Sequence, residues 1–259
     1  MSATEMQDTP PSAEIDPELR LVMPGRGLDA GAGWSWIVKG WELFTRAPLM
    51  WIVSLVIIFV IAAAVSLLPI IGQILFQLIQ GVLAGGLMVA CRALEKGGEF
   101  ELEHLFSGFS KRFVPLLLVG VVMLVGWIVI FLVFLAFAGV GLLGAFMTGD
   151  PELAISSGAA SLGPILLGTL VMLALMVPLM AAYWFAPALV MMHDMKPVAA
   201  MKASFFACFR NFVPFLNYGL VMSVAGILAI LPFGLGFLVW VPVAIASTYV
   251  AYRQIFTDD

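Results

Sequence analysis

The sequence predicts an all-α polytopic membrane protein with six transmembrane helices arranged as three hairpins. Hydrophobic residues make up 63% of the chain and charged residues only 11%, whereas about a quarter of the residues in an ordinary soluble domain are charged. Three long blocks, at 47–91, 113–195 and 211–252, contain no Lys or Arg. Because an apolar helix of about 20 residues crosses the hydrocarbon core, each block has room for two crossings.

The crossings themselves follow from the apolar runs and the turn residues between them. The fourth crossing contains Pro178 and Pro187, and proline inside a helix removes a backbone hydrogen bond and bends it. We therefore expect a kinked fourth helix. The six crossings are predicted at residues 49–68, 74–91, 115–138, 164–191, 214–231 and from the turn at 232–236 to about residue 252.

The distribution of positive charge predicts the orientation. All twelve Lys and Arg residues fall on one side of the predicted topology, and short loops rich in these residues stay in the cytoplasm. We therefore expect a multi-pass protein of the bacterial inner membrane with both termini cytoplasmic. Residues 1–33 are polar and lack a basic region followed by an apolar core, so they predict a disordered cytoplasmic tail and not a signal peptide.

The remaining residues, 34–255, form one predicted transmembrane domain of three units at about 34–91, 100–191 and 196–252. A short amphipathic segment opens each unit, and each of these segments carries a basic residue shortly before a proline. Such segments favour helices that lie in the membrane interface, with aromatic rings at the acyl boundary and charges in water. We expect lipid contacts from eight residues of these three cytoplasmic helices: Trp34, Trp36, Trp41, Arg46, Lys111, Arg112, Lys202 and Arg210.

Several segments resemble known bacterial membrane families. One runs His193-Asp-Met-Lys-Pro-Val-Ala-Ala-Met-Lys-Ala-Ser-Phe-Phe206 and is followed by Arg210-Asn-Phe212. It resembles a pattern of six-helix families that include YciC-like proteins and the membrane domain of some glycerophosphodiester phosphodiesterases. The segments 40–51, 91–98 and 105–109 resemble an uncharacterised family of proteobacterial inner-membrane proteins. The resemblance covers about residues 34–255 and implies a six-helix membrane fold without an assigned activity.

Three glutamines form the most polar feature within the predicted crossings. Gln73, Gln77 and Gln80 follow one another at i, i+4 and i+7, so they share one face of the second crossing. Amide side chains in hydrocarbon either pair with a neighbouring helix or line a polar cavity, because an unpaired amide is costly there. Both interpretations, packing contact and cavity wall, stay open at this point.

Chemically reactive clusters are not apparent in the sequence. No Asp, Glu, Lys, Arg or His lies in the central part of a predicted crossing, and such residues usually mark ion pathways and proton relays. Glu101 and His104 have the spacing of half a carboxylate–histidine metal site, but the further ligands that such a site needs are missing. We therefore expect no catalytic, cofactor or metal site, no enzymatic activity and, with a net charge of −4, no nucleic-acid partner.

Two functional hypotheses follow from this pattern. The first is a non-enzymatic scaffold, assembly or lipid-organising protein that acts at the cytoplasmic interface. Its partners are membrane lipids, anionic headgroups included, because each basic residue near an anionic surface contributes about 1 kcal/mol; a membrane-protein partner fits the same hypothesis. The alternative is a transporter or flippase of an apolar or zwitterionic substrate that uses a cavity beside Gln73, Gln77 and Gln80.

Overall fold

The computed structural model of the protein describes residues 20–147 and 151–258. Within these ranges the chain is helical and contains no β-strand, apart from one isolated bridge between Leu21 and Thr257. The prediction of an all-α protein is thereby confirmed for the described residues. The helices are α1 (Ala32–Arg46), α2 (Pro48–Ser66), α3 (Ile71–Glu95), α4 (Leu102–Lys111), α5 (Phe113–Met147), α6 (Pro151–Trp184), α7 (Ala186–His193), α8 (Pro197–Arg210), α9 (Phe212–Ile230) and α10 (Phe237–Phe256).

Five stretches among the described residues are long and apolar enough to cross a membrane, with mean hydropathy between 1.8 and 3.1. Helix α10 is 20 residues long but is not one of them, and its last turns carry Arg253 and Gln254. The six predicted crossings thus correspond to five candidate spans and one more polar helix. The five spans are Pro48–Ser66, Ile71–Glu95, Phe113–Gly139, Gly163–His193 and Phe212–Ile230.

A short helix precedes a long apolar helix at three places: α1 before α2, α4 before α5, and α8 before α9. A single residue separates the two helices each time, and it leaves the helical region of the backbone. Ala47 has φ −148° and ψ 55°, and Arg112 has φ −141° and ψ 38°. Asn211 breaks the third pair. Pro48 is the first residue of α2, where its missing N–H is not needed and its φ suits a helix start.

The fourth crossing is interrupted next to one of its two predicted prolines. Helix α6 continues through Pro178 but ends at Trp184, and α7 begins two residues later with Pro187 in its first turn. The hydroxyl of Ser204 on α8 bridges the break. It donates to Ala181 O at 2.6 Å and accepts from the N–H of Phe185 at 2.9 Å, so these two backbone groups remain satisfied where the helix is interrupted.

Helix α5 extends beyond the predicted third crossing. The candidate span ends at Gly139, close to the predicted end at residue 138, but the helix continues to Met147. Helix α6 begins at Pro151, before the predicted start of the fourth crossing at residue 164. Most of the predicted connection is therefore helical, since Gly, Leu and Ala residues in this stretch do not stop a helix that has begun; residues 148–150 lie outside the described residues.

The segment of residues 20–31, here called the N-terminal strap, runs along the ends of α8 and α10. The N–H of Val22 donates to Phe256 O and the N–H of Arg26 to Ile255 O, both at 2.8 Å. Asn211 donates to Arg26 O and accepts from the N–H of Leu28. Residues 20–31 of the predicted tail thus make hydrogen bonds to the helices, and Ala32 and Gly33 are the first residues of α1; residues 1–19 lie outside the described part.

The core lies where the short helices α1, α4 and α8 meet the ends of the long ones. The outer parts of the long helices are instead lined by exposed apolar side chains, such as Phe59 at 73% and Leu220 at 67% exposure. This distribution suits lipid, which accepts apolar side chains that water would not. The largest fully buried side chains are Trp36, Trp51, Tyr249, Tyr252, Phe185, Phe256, Leu105, Leu116, Met123, Leu189, Ile255 and Val82.

Candidate functional site

A charged cluster joins the ends of α3 and α10. The carboxylate of Glu95 accepts hydrogen bonds from Arg92 Nη1 at 2.7 Å, from Arg253 Nε at 3.1 Å and from the hydroxyl of Tyr249 at 2.6 Å. The side chain of Arg253 is only 8% exposed. A charge this deeply buried is tolerated when it is paired and hydrogen-bonded. Glu95 is both the counter-charge and a hydrogen-bond acceptor of Arg253.

Two further polar contacts extend the cluster towards α7. The hydroxyl of Tyr252 lies 2.6 Å from His193 Nε2 at the end of α7. Beside it, Arg112 forms an ion pair with Asp194 at 2.6 Å. Arg112 is the residue between α4 and α5, so this pair ties the second unit of the chain to the loop before α8. The polar groups therefore connect parts of the chain that are distant in sequence.

One open side of this cluster is a cleft lined by charged residues, here called the basic cleft. Its volume is about 450 Å³. Helix α1, the end of α10 and Arg26 of the N-terminal strap form its walls, and Glu95 belongs to its lining. The charged residues that line it are Arg26, Lys39, Glu42, Arg46, Glu95 and Arg253.

Three apolar clefts share the side chain of Trp184, the last residue of α6, and are here called the Trp184 clefts. The first, between α3 and α10, has a volume of about 450 Å³ and includes Gln80. The second, between α6 and α9, has a volume of about 550 Å³ and includes Leu216. The third, between α9 and α10, has a volume of about 470 Å³ and includes Gly219. Trp184 is thus the point at which the three clefts meet.

The walls of the Trp184 clefts combine lipid-facing and ring-stacked side chains. In the second cleft, Val177 and Phe212 are each 59% exposed, so this cleft opens on the exposed apolar surface of two candidate spans. Trp184 makes edge contacts with Phe215 and Tyr218 of α9, at ring-centroid distances of 5.5 and 6.3 Å. Aromatic pairs in this geometry stabilise a packing arrangement, and they hold the indole between the clefts.

Polar groups on the walls of the first cleft are few. Gln80, Tyr183 and Thr248 contribute them, and the hydroxyl of Thr248 is engaged with Ala244 O at 3.0 Å. A mostly apolar cleft with a small number of polar groups is the usual form of a small-molecule site. In chemical terms it suits a ligand that is mainly hydrocarbon.

The three predicted glutamines have different surroundings in the structure. Gln73 is exposed, Gln77 is half-buried, and only Gln80 lines a Trp184 cleft. The Nε2 atom of Gln77 is buried and finds no hydrogen-bond partner among the described residues. The helical spacing placed the three on one face, but α3 packs against different neighbours along its length, so their surroundings differ.

The eight predicted lipid contacts divide into exposed and internal residues. Trp34 and Trp41 are 60% and 50% exposed, and Lys111 and Lys202 are exposed as well. Trp36 is different: it is 1% exposed and donates from Nε1 to Gln254 Oε1 at 2.9 Å. The structure therefore places Trp36 in the core, because α1 turns this face towards α9 and α10.

The other three of the eight residues make defined contacts within the chain. Arg46 donates to Leu94 O at 2.6 Å, and Arg210 donates to Gly25 O at 3.1 Å. Arg112 pairs with Asp194, as described above. Arg46 and Arg210 remain exposed and Arg112 is half-buried, so each contributes to the packing of the short helices while part of its side chain stays at the surface.

Cys208 lines the second Trp184 cleft from α8. Burial raises the pKa of its thiol to about 12, against a smaller opposing effect of a hydrogen bond with Ser204. Its Sγ lies 3.5 Å from Ala181 O. A thiol in this setting stays protonated near neutral pH, and it therefore acts as a small apolar group and not as a nucleophile.

The charged cluster and Trp184 are the features that the sequence did not reveal. Glu95 and Arg253 are 158 residues apart, and nothing in their local sequence links them. A partial indication existed, because Arg92 and Glu95 lie three residues apart at the end of an apolar helix, a spacing that favours an ion pair. Trp184 is one of seven tryptophans, and only the packing of α6 against α9 distinguishes it.

Comparison with known proteins identifies a relative of this chain. Over 203 residues the chain is 32% identical to a protein of Burkholderia thailandensis that is named a probable inner membrane protein; the match covers 75% of this chain and 73% of that protein. No family model matches the chain, and no solved structure matches it. The relative's name gives a location in the cell and assigns no activity.

Proposed function

The chain belongs to the family of this probable inner membrane protein, and from that premise we propose that it is a non-enzymatic, lipid-organising protein of the inner membrane. The Trp184 clefts hold acyl chains, and the short helices α1, α4 and α8 contact the headgroups. The observation that carries the proposal is the convergence of three apolar clefts on Trp184. No cofactor and no nucleic acid takes part in this role, whereas a membrane-protein partner is compatible with it.

The proposed topology has six crossings in three hairpins, with α10 as the sixth. It is supported by the contact between the N-terminal strap and the end of α10, since Val22 and Arg26 are hydrogen-bonded to residues 256 and 255. Segments that touch lie on one side of the membrane, and this requires an even number of crossings between them. The positive-inside rule makes that side the cytoplasm.

The proposed headgroup contacts come from the exposed members of the three short helices. Trp34 and Trp41 on α1 present rings to the interface, and Lys111 and Lys202 extend from α4 and α8. Tryptophan is enriched at this depth because its ring is apolar and its N–H is polar. We propose that the three units are an internal repeat whose short helices lie in the interface.

The apolar clefts alone contribute little to the free energy of lipid binding. Lipid chains are as apolar as a leucine side chain, so transfer of an acyl chain from the bilayer into a cleft brings no hydrophobic gain. The gain comes from close packing, at about 0.1–0.2 kcal/mol for each pair of atoms in contact. A lipid is therefore retained when its chains fit the clefts and its headgroup finds charged partners.

Filling one cleft tests the proposal. Gly219 lines the third Trp184 cleft, and a Cβ added there meets no atom within 4 Å. We expect Gly219→Leu to reduce the phospholipid that remains bound to the protein after gentle extraction, because its side chain occupies the space of an acyl chain. The measurement is native mass spectrometry of the purified full chain together with lipid analysis of the same sample.

A matched control is Gly139→Leu. A Cβ at Gly139 also meets no atom within 4 Å, and Gly139 ends a candidate span without lining a Trp184 cleft. Its bound lipid should equal that of the unchanged protein. Equal lipid retention by Gly219→Leu and the unchanged protein would refute the role of the clefts.

A transporter or flippase of an apolar or zwitterionic substrate is the second candidate. It is favoured by Gln80, which adds an amide to the wall of the otherwise apolar first cleft. In proteoliposomes, a flippase accelerates the movement of a fluorescent phospholipid between leaflets, and Gln80→Leu slows it. Bound lipid without accelerated movement supports the lipid-organising function instead.

A further inference from the structure

The basic cleft lies at the depth where two candidate spans end. Arg46 is two residues before the span Pro48–Ser66, and Glu95 is the last residue of the span Ile71–Glu95. Only Ala47 separates Arg46 from that span, and two residues of extended chain reach at most about 7 Å, so the end of α1 lies close to the start of the span. The phosphates of a bilayer lie just outside its hydrocarbon, at the same level.

The charge of the cleft is positive, in contrast to that of the whole protein. Four basic residues and two acidic residues line it, whereas the complete chain has a net charge of −4. The carboxylate of Glu95 already accepts hydrogen bonds from Arg92, Arg253 and Tyr249. It therefore offsets the buried Arg253, and Arg26 is paired with Asp258. On α1 the cleft is lined by two basic residues, Lys39 and Arg46, and one carboxylate, that of Glu42, so this wall stays positive.

Two of the basic residues of the cleft, Arg46 and Arg26, are anchored by the surrounding structure. Arg46 Nη1 donates to Leu94 O at 2.6 Å, and a guanidinium has five N–H donors, so the remaining ones can face a ligand. The main chain of Arg26 is fixed from both sides, by Ile255 and by Asn211. Lys39 is exposed and adds three donors on a flexible stem.

We propose that the basic cleft binds a phosphate group, with Lys39 and Arg46 as its principal donors. The source of the group is either the headgroup of an anionic phospholipid or a free phosphate anion. The volume of about 450 Å³ falls within the range of small-ligand sites. This inference goes beyond the proposed function, because the Trp184 clefts take apolar chains and the basic cleft takes an anion.

The test compares three probes on the full chain in dodecyl maltoside by microscale thermophoresis. Dioctanoylphosphatidylglycerol carries chains and a phosphate, inorganic phosphate carries the anion alone, and dioctanoylglycerol carries the chains alone. The variants are Lys39→Gln with Arg46→Gln, and Lys39→Gln alone. The control is Arg20→Gln with Lys196→Gln, which removes the same charge from two exposed positions that line neither the basic cleft nor a Trp184 cleft.

The expected result is a loss of phosphatidylglycerol affinity in the cleft variants and not in the control. Affinity for the phosphatidylglycerol falls about 25-fold in the Lys39/Arg46 variant and about fivefold in the Lys39 variant, because each basic group contributes about a fivefold factor. The control stays within about twofold. Lys39 takes part in no hydrogen bond found among the described residues, so the single variant tests the site even where loss of the Arg46–Leu94 bond disturbs the fold.

The probes also identify the source of the phosphate and separate this inference from the proposed function. Binding of inorganic phosphate with the same variant dependence identifies a free anion as a ligand, and binding of the lipid alone identifies the headgroup. Dioctanoylglycerol binding reports only on the apolar clefts and is unchanged by these variants. Equal losses in the cleft variants and the control, or no loss in either cleft variant, overturn the proposal.

Discussion

Glu95 is the residue that holds the charged cluster together. It lies at the end of α3 and is the shared partner of Arg92 beside it and of Arg253 and Tyr249 on α10. An arginine with 8% exposure is stable only next to a counter-charge, since the cost of an unpaired buried charge exceeds that of most other local defects. A single carboxylate thus connects two helices that are far apart in the chain.

Removal of this carboxylate should destabilise the protein. We expect Glu95→Ala to lower the free energy of unfolding by about 2–3 kcal/mol, because Arg253 and the hydroxyl of Tyr249 lose their acceptor in a largely buried position. The measurement is thermal unfolding in detergent. Glu99→Ala removes the same charge from an exposed position and should change the stability by less than about 0.5 kcal/mol; equal effects of the two would contradict the role of Glu95.

Helix α1 is the element whose packing differs most from the prediction. A helix that only rested in the interface would leave its small residues without close neighbours. In α1, Gly40 lies directly against Ser247 of α10, and a Cβ added there would stand 2.8 Å from the backbone nitrogen of Ser247. The absence of a side chain at Gly40 therefore lets α1 dock on the bundle, and it brings Lys39 and Arg46 to the basic cleft.

A matched pair of glycine substitutions tests this docking. Alanine favours an isolated helix over glycine by about 1 kcal/mol, so Gly40→Ala would stabilise α1 if the helix were free. We expect the opposite, a net loss of about 1–3 kcal/mol, because the clash is with backbone that cannot move aside. Gly31→Ala meets no atom within 4 Å and should be neutral. Thermal unfolding of both variants shows whether Gly40→Ala raises or lowers the stability of the protein.

The whole molecule is organised by the contact between its two ends. The N-terminal strap is joined to the end of α10 by backbone hydrogen bonds and by an ion pair between Arg26 and Asp258. Two chain ends that pack together lie on one side of any membrane the helices cross. The contact therefore favours an even number of crossings, with α10 as the sixth, although α10 is less apolar than the five candidate spans.

The topology leads to an accessibility prediction. Epitope tags on the N and C termini should both resist protease in intact spheroplasts and both be digested in inverted membrane vesicles, because the proposed six crossings return the chain to the cytoplasm. A tag inserted at Pro69, between α2 and α3, should show the reverse pattern. Opposite behaviour of the two terminal tags would indicate five crossings and exclude α10 as a sixth.

The sequence by itself determined those properties that depend on composition and local pattern. The helical class and the membrane character follow from long apolar blocks, and the short helices before them follow from prolines after basic residues such as Arg46. The site was predicted only in part. Of the three glutamines one lines a cleft, and of the eight interface residues Trp36 lies in the core.

Only the tertiary structure decided which side chains meet. The hydrophobic pattern cannot orient a helix that is apolar on all sides, because lipid and protein neighbours are equally acceptable to its residues. Close packing of small residues and buried polar pairs fix the orientation of such a helix. Gly40 packs against α10 in this way, and Glu95 pairs with Arg253. These contacts join residues remote in sequence, and for that reason the basic cleft and the Trp184 clefts emerge only from the folded chain.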